Sequence, residues 1–543
     1  MSLSSLTFSR MDSSSLLDSS SVRTSIKGLF RNTITSSDRH TISQFLLDAE
    51  QEIQRHDAEI NRLRTAIHLL ETKKLGLKKS MDRCHSLLSP VHRLPTEILT
   101  EILSIACEEN KLCPSTPPNV VKLSRVCGRW WEVICSAPKL WSSITIQFSS
   151  WEGKFPVLEK LVRLFLDRSD TQLLKLELDF FAVFTDQDQI DMLPIIHALC
   201  DHAARWRVLG LENPPSTFTP SSSRIGMPAL QHLKAYEVHP DIFSSLFKNS
   251  PCLRTLDIMD DYIDFSSDLP SDLSSHLIKI LVVRDAYADA ACSYLLRFPV
   301  LETLYMHGIS FHNDSNRENT EHHFSTTIAS LAVEFDTQSA LDATLCRLTL
   351  PQLTSLQVCG SDESVSECTW PIWAGAAVTD FLSRSSCTLT SLCLRKLPIT
   401  GDQAITLLEH VPTLVSLEIR ERPRTDEDPE VPEPFPNRII TQTFLQRFAV
   451  EHEVFRSSHA FLPLLADITF SMREDDSGVE QGMFNAVASR WIPDPAQAKE
   501  IGVKCLKSVT ITVRERKGGS EEKRWLKALE CFRDAGLRLR VDG

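Results

Sequence analysis

One pattern constrains this 543-residue chain more than any other: an apolar triplet, hydrophobic-x-x-hydrophobic-x-hydrophobic, that keeps returning. It is clearest as Leu253, Leu256, Ile258; Leu301, Leu304, Met306; Leu353, Leu356, Val358; Leu389, Leu392, Leu394; and Leu414, Leu417, Ile419. Looser copies begin at Trp141, Leu173, Trp206, Leu230, Ile278, Ile328, Leu465 and Leu506. From Leu230 the first positions step by 23, 25, 23, 27, 25, 36 and 25 residues. The last two apolar positions alternate as in a strand with one face inward, and a proline often precedes the triplet (Pro251, Pro299, Pro351, Pro412), ending a helix such as Ala404 to His410. Each unit therefore reads as helix, turn, strand. No single unit buries its own apolar face, so stacking into a parallel sheet with outer helices is the stable solution.

The spacing is that of leucine-rich repeats with irregular insertions. Just before the middle apolar position stand Thr255, Thr303, Ser330, Ser355, Ser391, Ser416 and Ser508, which in-register parallel strands would align on one face. β-propensity and ladder packing explain this row; the functional alternative makes that face a platform for a protein substrate, with Asp257, Tyr305, His307, Gln357, Arg395, Glu418 and Arg420 as its variable readers.

Residues 1–40 are different: ten serines fall in the first 21 positions, with too few apolar residues to bury a core, so a disordered tail is expected. A mitochondrial transit peptide is the rival, against which Asp12 and Asp18 speak. Residues 41–88 then carry Leu46, Ala49, Ile53, His56, Ile60, Leu63, Ile67, Leu70, Lys74, Leu77 and Met81 in alternating steps of three and four, the seam of a coiled coil. A long helix follows, with self-association through residues 46–81 or packing against its own chain as alternatives.

Composition excludes several function classes. Hydrophobic residues at 42% and charged residues at 24% are those of an ordinary globular protein. The net charge of −13 and a pI near 5.8 argue against nucleic-acid binding, which needs a basic footprint. No apolar run approaches the roughly 18 residues needed to span a bilayer, so no membrane partner is expected. Fifteen cysteines without a CxxC pair or zinc spacing suggest reduced, mostly buried thiols in the cytoplasm and/or nucleus. No GxSxG, Walker, HExxH or GxGxxG motif occurs, so no catalytic residues, cofactor or metal are expected. His312, His322 and His323 read as a polar loop, and residues 421–436, with six acidic residues and five prolines, as an exposed insertion.

The densest segment is residues 89–145. Pro95 suits a first helical turn, and Glu97 and Glu101 suit the positive end of the helix dipole, so a helix starts near Leu94. Ile98, Leu99, Ile102, Leu103 and Ala106 give it one broad apolar face. Turn residues from Pro114 to Asn119 stop it, and a second helix carries Val121, Leu123, Val126, Trp130, Val133 and Ile134, ending by Pro138. Such short helices offer more apolar surface than fifty-odd residues bury alone, which implies a partner.

Leu94-Pro95 with Glu97-Ile98-Leu99 and Ile102-Leu103, then Val126-Cys127, Arg129-Trp130, Pro138 and Leu140-Trp141, resembles the F-box in order and nearly in spacing. The resemblance, closest to fungal-type F-box proteins with a preceding coiled-coil-like helix, implies docking on a SKP-family adaptor and cullin complex. Its contact surface would be Leu94, Pro95, Ile98, Leu99, Ile102, Val126, Trp130, Leu140 and Trp141. The proline-rich link from Cys113 to Asn119 departs from the family, being longer than the usual connection, with room to displace the second helix. The expected fold is thus α/β: an N-terminal helix and a small all-α F-box, then an irregular leucine-rich-repeat-like solenoid over 146–543. The expected function is substrate recognition for a cullin-RING ubiquitin ligase; a ligase-independent repeat scaffold is the alternative.

Overall fold

The computed structural model describes residues 36–181, 185–218, 226–259, 277–311, 322–361, 370, 373–422, 438–450, 460–473, 479–514 and 524–542. His312, the tail up to residue 35 and the acidic, proline-rich insertion from residue 423 on lie outside them. The chain divides into two compact units, the first ending at Pro95 and the second running from Thr96.

Among its described residues the first unit holds the long helix Ser36–Leu87, followed by the 3-10 turn Pro90–Arg93. The helix begins inside the stretch read as tail, because Ser36 to His40 continue its hydrogen-bonded turns. The large apolar side chains of its seam are exposed, from Ile60 at 45% to Leu77 at 73%.

The second unit is built on a 15-stranded sheet whose strands follow chain order and pair in parallel throughout. The second and third positions of all thirteen apolar triplets lie on strands, from Ser143–Gln147 to Ser508–Arg514. Two edge strands were not visible in the pattern, Lys111–Leu112 and Arg538–Asp542. Both lack one apolar position. At the triplet position aligned with Ile144 the first has Asn110, and ahead of the last stands Gly536, at φ 106°.

Alternation within each strand sorts the side chains. Leu256, Leu304, Leu356, Leu392 and Leu417 share one register row, and all are buried. The connecting helices Pro240–Lys248 and Gly401–Glu409 likewise bury one face, through Ile242, Phe243, Leu246 and Phe247 and through Ala404, Leu407 and Leu408. The latter matches the helix expected at Ala404 to His410, and Thr400 caps it reciprocally with Gln403. The hydroxyl row is also in register: Thr303 pairs with Ser330, Ser330 with Ser355, Ser355 with Ser391 and Ser391 with Ser416. Ile280 and Asp467 interrupt it.

Two expectations are corrected. The second helix of the 89–145 segment is two helices, Asn119–Ser124 and Gly128–Ser136, parted at Cys127, whose backbone is extended (φ −159°, ψ 168°). Gly128 is a poor residue inside a helix and opens the second one instead. The thiols are not mostly buried either: of fourteen described, four are buried (Cys107, Cys200, Cys292, Cys393) and four are exposed.

Candidate functional site

The helix Thr96–Ala106 divides the apolar face read from its sequence into two stripes. Leu99 and Leu103, one turn apart, are fully buried and are continued by Cys107. Ile98, Ile102 and Ile105 recur at i, i+4 and i+7 on another side and are 49%, 46% and 72% exposed. A row of three exposed isoleucines on one helix is an unsatisfied apolar surface. The same helix packs against Asn119–Ser124 and Gly128–Ser136, and the latter carries the half-buried Trp130 and the exposed Trp131.

What holds these helices is a set of polar contacts around the edge strand. Asn110 is wholly buried; its amide nitrogen donates to the carbonyls of Cys107 (3.1 Å) and Leu140 (2.9 Å), and its oxygen accepts the Val120 N–H (3.1 Å). Asn119 donates to the Ala106 carbonyl (3.1 Å), and Ser143 Oγ to that of Glu108 (2.6 Å). Lys111 and Leu112 pair with Thr145 and Ile146, so the long link leaves from a strand of the sheet and returns to a helix tied to it. Its length accommodates this detour. The boundary placed after residue 145 falls inside the strand Ser143–Gln147.

Residues 91–147 match the family model described as F-box-like. The chain therefore carries an F-box-like domain at residues 91–147. No curated protein matches the chain. An F-box-like domain supports an adaptor role in cullin-based ubiquitin ligases, with a SKP-family adaptor as its partner, and F-box proteins are typically adaptors rather than enzymes.

The nine residues expected on the F-box docking surface are placed unequally. Ile98, Ile102 and Val126 (59% exposed) face solvent, and Trp130 is half-buried. Leu94, half-buried, and Pro95, exposed, are the last residues of the first unit. Leu99, Leu140 and Trp141 lie in the interior instead. Trp141 donates its indole N–H to the Ile134 carbonyl (2.9 Å) and meets the Phe165 ring edge-on at 5.2 Å. These three side chains satisfy the second unit's own core. Ile105 was passed over in the sequence, although its i+7 spacing from Ile98 was a usable signal, and Trp131, part of the apolar surplus that implies a partner, was not among the expected contact residues.

The open side of the sheet is a second candidate surface. Asp257, Tyr305, Gln357 and Glu418 fall on one register row, while His307, Arg395 and Arg420 fall two residues further along their strands. The topology therefore brings all seven expected readers to one face. Asp257 is a correction among them: it is 6% exposed, and both carboxylate oxygens accept from Arg284 on the neighbouring strand, at 2.9 and 3.1 Å. Hydrogen bonding to that carboxylate raises the Arg284 pKa. An ion pair so engaged fixes neighbouring strands and is closed to a ligand. His307 contacts Glu334 (3.0 Å), and Glu418 takes both Arg395 (2.8 Å) and Arg420 (2.5 Å). Arg284 and Glu334 were missed because pairing across strands more than twenty residues apart leaves no local signal.

At the F-box end the same face forms an open depression of about 390 Å³ between Lys111, Glu177, Asp179, Glu212, Lys234 and Tyr236. Glu177 accepts from Lys234 at 3.1 Å across Gly210, where an added Cβ would lie 2.0 Å from the Glu177 carboxylate. Among the described residues, no group of three or more His, Cys, Asp or Glu is placed to hold a metal, and no helix is long and apolar enough to cross a membrane. His323 is buried in a short strand paired with Leu348–Thr349, which replaces the polar loop expected there.

Proposed function

We propose that the exposed row Ile98, Ile102 and Ile105, with Val126, Trp130 and Trp131, is the docking surface for a SKP-family adaptor; Leu94 and Pro95, just before it in the chain, are proposed adaptor contacts of their own. The observation that carries this is the exposure of three isoleucines on one helix within the F-box-like match. Apolar side chains at this spacing suit a groove on a helical partner. The leucine-rich-repeat-like sheet then acts as the receptor: Tyr305, His307, Gln357, Arg395, Glu418 and Arg420 contact a protein substrate, which the cullin complex holds near a charged ubiquitin. The preceding long helix supports reading the chain as similar to fungal-type F-box proteins, and the proposed site of action is the cytoplasm and/or nucleus.

The test is capture of the adaptor by the full chain, compared with Ile98→Glu/Ile102→Glu. Both residues are near half exposure, so the double variant should keep its melting temperature while adaptor affinity falls at least about 30-fold, the loss of a hot spot worth some 2 kcal/mol. Equal capture by both proteins, or none by the unsubstituted chain, would exclude this surface and favour the ligase-independent scaffold.

A further inference from the structure

The long helix of the first unit carries information on its partner that adaptor docking does not use. Within its seam, Ile53, Ile60 and Ile67 occupy a positions and Leu63, Leu70 and Leu77 occupy d positions. All six are at least 45% exposed. A helix this long with an uncovered apolar seam is stabilised chiefly by packing against a partner. The seam has two polar interruptions, His56 at d and Lys74 at a.

Charge is divided along the helix. Glu50, Glu52, Asp57 and Glu59 lie in its first half, and Lys73, Lys74, Lys78 and Lys79 in its second. In a parallel pair, Lys74 would face Lys74 inside the seam. On the flanks Glu52 would meet Asp57 and Lys73 would meet Lys78, like charges in contact, against one opposite pair, Glu59 with Arg64.

We propose that this helix pairs with the same helix of a second copy in antiparallel orientation, staggered so that Leu46 lies across from Cys84. That register stacks Ile53 on Leu77, Ile60 on Leu70 and Ile67 on Leu63. It also brings the two polar interruptions into one layer, Lys74 beside His56 of the other copy. Asp57 and Glu59 of the other copy flank that layer together with Glu71 of the first, so the ammonium is surrounded by carboxylates. On the flanks Glu50 meets Lys78 and Glu59 meets Lys73. Glu59 already accepts from Arg62 on its own helix (2.7 Å) and keeps lone pairs for a second donor. Against this stand the contact of Arg64 with Arg64 at the twofold axis and that of Asp57 with Glu71, the latter offset by Lys74. Opposite charges outnumber like ones only in the antiparallel pair.

Sedimentation equilibrium of the full chain tests this, because one substitution has opposite signs in the two orientations. Lys78→Glu removes the cation facing Glu50 and puts a second carboxylate there, at both ends of the antiparallel dimer, and should weaken it about tenfold or more; in a parallel dimer the new carboxylate would face Lys73 and tighten the pair. Adding Glu50→Lys to Lys78→Glu should restore the antiparallel dimer. In a second arm, Leu46→Cys oxidised mildly with diamide should give a disulfide between residue 46 of one copy and Cys84 of the other, mapped by peptide mass spectrometry. The two positions are roughly 57 Å apart on one helix, so this bond forms only between copies. The proposal is overturned by a chain that stays monomeric to about 100 μM, by tighter dimers of Lys78→Glu, or by Cys84 joined to Cys84. Adaptor capture is read separately, so the two proposals fail independently.

Discussion

Asn110 Oδ1 accepts the backbone N–H of Val120 at 3.1 Å, and that bond joins the edge of the sheet to the second F-box helix. Its amide nitrogen reaches two further carbonyls in a site closed to water. Asn110→Leu would restore the apolar triplet but leave the Val120 N–H and the Leu140 carbonyl buried and unpaired. We expect it to destabilise the second unit by about 2–4 kcal/mol, the cost of two stranded polar groups. Chemical denaturation of both proteins measures it; a neutral effect would show that water replaces the amide.

Trp141→Ala separates packing from docking. The indole is 4% exposed, edge-on to Phe165, and has Arg168 stacked 5.7 Å from its centroid. Truncation should cost about 3–5 kcal/mol of stability. Loss of adaptor capture by this variant should therefore accompany a lower melting temperature. Capture lost at an unchanged melting temperature would instead place Trp141 on the docking surface.

These two residues also show what the sequence discloses. Thirteen strands were legible because burial on one face demands leucine-like residues at a fixed spacing, and that demand repeats. The edge strand at Lys111 was not, because a polar residue at the same spacing does the work of an apolar one once three partners surround it. Trp141 and Leu99 were recognised as apolar and required. Composition alone does not say whether a required apolar residue faces its own core or another protein, since the same periodicity serves both. Ion pairs such as Asp257 with Arg284 are less visible still, because each residue is unremarkable until the strands are laid side by side.

Cys113 leads to a pH prediction. The Ser115 hydroxyl, 3.0 Å from its sulfur, lowers its pKa from the ordinary 9.0 to about 7, whereas burial pushes Cys292 up to about 12. The thiolate is the nucleophile, so alkylation of Cys113 by iodoacetamide should rise through pH 7 and level off above about pH 8. Cys292 should stay unmodified in the folded chain over that range. Ser115→Ala should return the Cys113 midpoint toward 9. A Cys113 profile that the substitution leaves unmoved would assign the lowered value to another cause.

Gly360 ends the strand Ser355–Gly360 where the neighbouring chain turns at Lys396, whose φ is 55°. A Cβ at Gly360 would lie 2.5 Å from the Lys396 carbonyl oxygen, which is backbone and unable to swing aside. Both residues sit at the ends of paired strands, Cys359 aligning with Arg395, so relief requires the strand ends to part. Gly360→Ala should therefore cost about 1–3 kcal/mol through overpacking, against the usual gain from removing a glycine. The displacement would be felt at Arg395, whose bond to Glu418 is part of the open face. Hydrogen exchange should show faster opening of Ser391–Arg395 in the variant, with Thr255–Met259 unchanged. Uniform exchange along the sheet would mean that the strain spreads through the ladder instead of staying at the strand end.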